Sequence, residues 1–512
     1  MYLCYSISRS VTQKEWDEVY EESLLLAQQL GLADWDKFYY KGVRSYAYCK
    51  VKEQTEIDFG EECHFWLACG EYIHMTDGEY FRLDREIDMR KYNENAGPGI
   101  LWEADSYTST VSHQFEDQIR TRSIKILGGG AYFIRLLAIL CFMESKLNEK
   151  IYIYGDIDKQ RCENAIKFAN EYLKEPIGLT YRCDLNKLYA IVKEMQITEE
   201  EKLIVLENAY LGDIDLKYKH FIEERFDKKI IKKFWKNRFK DCDVDDYNFE
   251  AKLKAYLSYG FDFKDLFSYI KFTNTKEEYT QFLERIFEIE SNKNSISKSL
   301  GFTRDPKDDK VRGFSWEFRC SLFGPKALDL SNNFTFEEYV NELSKYFGNQ
   351  IDVRNFLKEK IKDEDEESFM ASLKEYCHKD YYYIFKGEDK YDIIFANDLM
   401  YYKTGDNIAP YLLKDIKAAV KSNKKRFADK EFKEIETKET TEQIYELIDL
   451  HHQFPVRDID WYHAIDYFNS HSDALKRYYP LFRMKLELFS PNEGIAKALF
   501  INDDFFEFCE KL

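Results

Sequence analysis

The chain has 512 residues, 44 % hydrophobic and 33 % charged, which fits a folded protein of three domains, or of two with one large. Its 94 acidic and 75 basic residues leave a net charge of −19, which argues against a general nucleic-acid binder and against anionic membrane surfaces, and suits a basic protein partner. The 39 Tyr and 40 Phe exclude a disordered chain, although an AT-rich bacterial coding sequence accounts for part of that excess.

In chain order, residues 2–8 alternate as a strand. Thr12-Gln13-Lys14-Glu15 is a capping box, and Trp16, Val19, Tyr20, Ala27 and Leu30 follow at helical spacing up to a stop at Gly31. Val43, Ser45, Ala47, Cys49 and Val51 alternate with Arg44, Tyr46, Tyr48 and Lys50, the period of a half-buried strand. Residues 72–75 and 80–83 flank Thr76-Asp77-Gly78-Glu79, which predicts a hairpin turned at 76–79. Residues 1–110 therefore form an expected α+β module.

Residues 111–198 read as a small α/β segment. A strand at 124–127 breaks at Gly128-Gly129-Gly130, and a buried helix over 131–147 follows. That stretch contains Arg135 and is too short to span a bilayer. Ile151-Tyr152-Ile153-Tyr154 is a short apolar strand, and Gly155-Asp156-Ile157-Asp158 turns into a polar helix. The alternation predicts βαβ units and a parallel sheet.

From 199 to 512 the pattern is mainly helical, with a β-hairpin near 381–395, a loop at 301–310 and an acidic run at 362–367. Gly212, Gly260 and Gly348 each follow an aromatic residue at a helix-like end, and Asp213, Asp262 and Asp352 come next as N-caps. The glycines lie 48 and 88 residues apart, near one and two periods of a helical-hairpin array, and such arrays mostly bind other macromolecules. The fold class is α+β: an N-terminal mixed region, then a long helical region with hairpin repeats.

Eleven cysteines occur without any CxxC pair, so they read as reduced thiols in a cytoplasmic protein. The first residues lack a basic segment followed by a long apolar core, so no signal peptide is expected.

Few residue groups point to chemistry. Asp156 and Asp158 stand at the end of an apolar strand, where two carboxylates hold Mg²⁺ or Mn²⁺ through oxygen and the metal clamps a phosphate. Over fewer than ten residues this resembles the strand-end DxD of haloacid-dehalogenase-like phosphatases and nucleotide-sugar glycosyltransferases. The Thr or Val that the phosphatases place two residues after the second Asp is Gln160 here. The alternative assignment makes one Asp a helix cap and leaves the other solvated. Gly128, Gly129 and Gly130 at a helix start offer backbone N–H groups to an anionic cofactor, but Tyr132 and Phe133 depart from the dinucleotide fingerprint.

His451, His452, His463 and His471 crowd the C-terminal region without a zinc spacing. The stretch 228–240 interleaves lysines with Phe234, Trp235 and Phe239, which suits either single-stranded nucleic acid or an amphipathic helix with its rings in the core. No motif calls for a resident cofactor. The expected function is non-catalytic: binding a protein partner in a regulatory, immunity or defence accessory role. The rival is a Mg²⁺- or Mn²⁺-dependent enzyme acting on a phosphate or nucleotide-sugar substrate through Asp156 and Asp158.

Overall fold

Strand β1 (Leu3–Ser8) is the centre of a three-stranded antiparallel sheet, between β7 (Ser106–Thr110) and β8 (Ile151–Gly155). The computed structural model describes residues 3–8, 10–58, 60–73, 75–87, 106–110, 130–155, 157–214, 216–240, 244, 247–259, 263–272, 275–292, 327–328, 336–360, 391–393, 396–426, 430–450, 456–482 and 491–512. The architecture is α+β: two N-terminal sheets, then a long mainly helical region.

The parallel sheet expected for 111–198 does not form with β8. Leu3 pairs with Gly155 and Ile7 with Ile151, so β8 runs antiparallel to the first strand of the chain. Its partner is distant in sequence, and the local strand–helix alternation carries no information about it. The strand expected at 124–127 lies outside the described residues.

The second sheet has the order β3-β2-β5-β4, with β6 also on β5. Its strands are β2 (Leu32–Tyr40), β3 (Val43–Lys50), β4 (Glu53–Asp58), β5 (Glu61–Glu71) and β6 (Thr76–Asp84), all antiparallel. The hairpin between β5 and β6 turns four residues earlier than expected, because Glu71 pairs with Thr76 and Gly70 with Asp77. Gly78 is therefore inside a strand. It is small because a Cβ there would strike the Tyr132 ring, which is fixed by hydrogen bonds to Ala68 O (3.0 Å) and Glu79 O (2.6 Å).

This sheet is covered on both faces. On one side Leu32, Val51, Trp66, Ala68, Phe81 and Leu83 pack with β1, helix Gln13–Gln29 and the apolar helix Gly130–Leu147. The Thr12 cap is formed as expected: Glu15 N–H donates to Thr12 Oγ1 at 3.3 Å, and Thr12 N–H donates to Glu15 Oε2 at 2.9 Å. On the other side Phe38, Val43, Ala47 and Met75 pack with helices from the far end of the chain, including Pro410–Arg426, Asp458–Ser470 and Pro491–Ile501. Tyr48 N–H donates to Val456 O at 2.9 Å, and Lys497 Nζ donates to Met75 O at 2.8 Å. Tyr48, expected on the outer face of β3, is buried by this returning segment.

A third core joins Leu188 through Leu357 across the intervening helices. The hairpin-repeat expectation fails here on its own criterion. Neither Gly212 nor Gly348 has the left-handed conformation, and Gly260 lies outside the described residues. Gly212 leaves room for the Tyr210 ring, and a Cβ on Gly348 would stand 2.5 Å from Ser344 O. These glycines serve close approach rather than a repeated αL turn. Of the three expected Asp caps, Asp352 accepts Asn355 N–H at 3.1 Å, whereas Asp213 pairs with Lys159 at 2.8 Å. Of the hairpin expected at 381–395, residues 381–390 lie outside the described residues, and Ile393 forms only an isolated parallel bridge to Ile408.

Seven described cysteines, including Cys69, Cys141 and Cys162, are free thiols. Among the described residues no helix is long and apolar enough to cross a membrane.

Candidate functional site

Strand β8 ends at Gly155, whose φ of +127° turns the chain away from the sheet. Asp158 then caps helix Lys159–Asn170. Its Oδ1 accepts Arg161 N–H at 2.8 Å, and its Oδ2 lies 3.5 Å from Arg161 Nε. Both oxygens of this carboxylate are thus directed to the first helical turn, where an anion satisfies orphan N–H groups. Asp156, Gly128 and Gly129 lie outside the described residues, and Gly130 is the first residue of helix Gly130–Leu147. Among the described residues no three His, Cys, Asp or Glu side chains converge as metal ligands.

The C-terminal histidines go separate ways. His463 lies 3.5 Å from Asp503, while His471 stacks on Tyr467 with ring centroids 3.9 Å apart. His451 and His452 lie outside the described residues. The stretch 228–240 forms helix Lys228–Phe239, with Ile231, Phe234, Trp235 and Phe239 buried and its lysines outward. Its rings are core residues and cannot stack on bases.

Three clusters of buried charge lie elsewhere, and sequence reasoning missed them. In the first, Glu207 on helix Glu199–Ala209 is nearly buried. Tyr218 donates to its Oε2 at 3.0 Å, Tyr259 donates to the same oxygen, and Arg238 Nη1 lies 3.8 Å from Oε1. Burial pushes the Glu207 carboxyl up to about 7, against the opposing pull of Arg238 and Tyr218. The cluster ties three successive helices to the turn that follows helix Tyr247–Ser258.

In the second, Arg182 is sealed at the junction of two cores. Its Nε donates to Ala209 O at 2.9 Å and its Nη1 to Ile153 O, and its guanidinium lies 4.3 Å from the Tyr152 ring centroid. Glu144 stands 3.7 Å away, fully buried, and burial raises its pKa. In the third, Arg135 donates to Leu30 O at 2.6 Å and lies 3.4 Å from buried Glu71. One signal was available for all three. Arg135 interrupts an apolar helical run and Glu144 and Glu207 stand at the end of one, and a buried charge needs a partner.

Perturbed carboxylates often mark active sites. Here they serve as internal ties, because each is closed in by side chains from several elements. An open depression of about 580 Å³ over the turn between helices Leu185–Glu194 and Glu199–Ala209 is lined by residues that include Thr198 and Glu201. Those two residues are already joined in a capping box, with Thr198 N–H donating to Glu201 Oε2 at 2.8 Å. Compared with protein-family models, curated proteins and solved structures, the chain matches none of them.

Proposed function

We propose that this chain is a non-catalytic protein-binding protein in a regulatory, immunity or defence accessory role, and that its partner is basic. The observation that supports this reading most is the β4–β5 hairpin. Ile57 on β4 is 81 % exposed, the most exposed large hydrophobic side chain among the described residues. Glu61 and Glu62 across the turn are exposed as well, and Glu62 is paired directly with Ile57. An isolated apolar residue is ordinary on a surface, but an outermost strand normally carries charge there to discourage pairing. An aliphatic anchor beside carboxylates fits a partner with an apolar socket rimmed by Lys or Arg. The net charge of −19 draws such a partner at long range.

The test is affinity capture from native-host lysate with wild type and with Ile57→Lys/Glu61→Lys/Glu62→Lys, followed by mass spectrometry. A basic protein held by wild type and lost by the triple variant is the expected result. Identical captured sets would end the assignment to this hairpin.

A further inference from the structure

The hairpin of β2 and β3 carries a second surface, independent of the β4–β5 hairpin. Its register pairs Trp35 with Tyr48, Lys37 with Tyr46, and Tyr39 with Arg44. Alternate residues of a strand share a face, so Trp35, Lys37, Tyr39, Arg44, Tyr46 and Tyr48 stand together; the Tyr48 end is buried under the segment at Val456, and the open part is Lys37, Tyr39, Arg44 and Tyr46. On the opposite face Phe38 and Tyr40 pack on the Tyr462 ring at centroid distances of 4.9 and 4.5 Å. On the first face, Trp35 and Tyr46 are stacked with centroids 5.7 Å apart and planes 20° from parallel. Tyr46 is 48 % exposed and Tyr39 62 %. Lys37 and Arg44 are exposed too. Their neighbours Lys41 and Lys52 are held by Asp466 at 2.7 Å and by Asp36 at 2.9 Å, whereas no salt bridge holds Lys37 or Arg44 among the described residues.

We infer that this face binds a single-stranded nucleic acid. Flat rings at alternate strand positions offer π faces to successive bases, and base stacking tolerates any sequence because every base has a π face. The two cations between the rings supply the charge complementarity, at the places where a backbone running across the face brings its phosphates. A carboxylate-rich peptide would use the cations and leave the rings idle, so the aromatic ladder favours a polynucleotide. The net charge of −19 is compatible with this, because only two phosphates are engaged and the acidic remainder limits affinity and makes it salt-sensitive.

The experiment is fluorescence anisotropy on the full chain at several salt concentrations. The probes are labelled dT12, U12, a 12-base-pair duplex, and poly-glutamate of similar charge. The expected result is binding of dT12 or U12 in preference to the duplex, with the ratio of the two strands reporting which sugar is chosen. Tyr39→Ala and Tyr46→Ala should each weaken binding about tenfold. Tyr39→Leu and Tyr46→Leu should weaken it nearly as much, since apolar bulk without a flat ring does not stack. Lys37→Ala/Arg44→Ala should flatten the log–log salt slope by about 1.4. All four side chains are exposed, and a thermal transition matching wild type keeps each variant interpretable. Poly-glutamate binding that ignores the tyrosine substitutions would give the face to an acidic protein and overturn the inference. Failure of both single strands to bind at low salt would overturn it as well.

Discussion

Glu207 shows how a single residue couples burial to pH. Its carboxyl sits near 7 in the folded chain against an ordinary 4.5, so between those values the folded state binds more protons than the unfolded state. Stability must then fall as pH rises through that window, because the ionised carboxylate is the disfavoured form. Glu207→Gln keeps an acceptor for Tyr218 and Tyr259 and cannot ionise. Urea titrations at pH 5 and pH 8 should show the variant gaining on wild type by up to about 3 kcal/mol at the higher pH. An equal difference at both values would mean that the carboxylate is better solvated than its burial implies.

Asp158 makes the complementary case, a carboxylate spent on the backbone. Asp158→Ala should cost about 0.5–2 kcal/mol, and Asp158→Asn, also a good cap, much less. If Mg²⁺ or Mn²⁺ raised the melting temperature of wild type but not of Asp158→Asn, the metal reading would be restored. The capping role was readable in the sequence, because Asp ahead of a polar helical run is a start signal. The Glu207 cluster was not, because Tyr218 and Arg238 come from two other helices and Tyr259 from the turn after a third, and no local pattern brings them to one carboxylate.

At the scale of elements, periodicity and capping carried most of the information. Helix Gln13–Gln29 starts at the Thr12 box, buries Trp16, Val19 and Tyr20, and stops before Gly31, whose φ is +72°. Turn chemistry misled at Gly78, Gly212 and Gly348. In each case a Gly that reads as a turn residue is there because a tyrosine ring or a carbonyl comes too close for a Cβ. Sequence records the Gly but not the neighbour that excludes the methyl. Gly78→Ala should therefore destabilise by about 1–3 kcal/mol through overpacking against Tyr132, although Ala suits a strand better than Gly. Pairing it with Tyr132→Leu should recover part of that loss, and a double-mutant cycle in urea measures the coupling. Additive effects would place the strain elsewhere.

For the whole molecule, the sheet of β2 to β6 is the common wall of two cores, and the second is closed only by the last quarter of the chain. The sequence shows amphipathic helices there but not that their apolar stripes meet strands at the other end. Trp461 sits at that seam. It packs in the core that holds Val43, Ala47 and Tyr48, its ring lies 5.4 Å from Phe500, and its Nε1 is 3.3 Å from Tyr46 O. Trp461→Ala should cost about 3–5 kcal/mol, as burying an aromatic and then removing it leaves a cavity. If the wall is shared, that loss is not confined to helix Asp458–Ser470. Hydrogen exchange should show the amides of β2 and β3 losing protection together with those of the C-terminal helices, while the helices around Glu207, in their own core, keep theirs. Loss restricted to the C-terminal helices would mean that the sheet stands without them. Its Phe38 and Val43 face would then be a docking surface on which those helices merely rest.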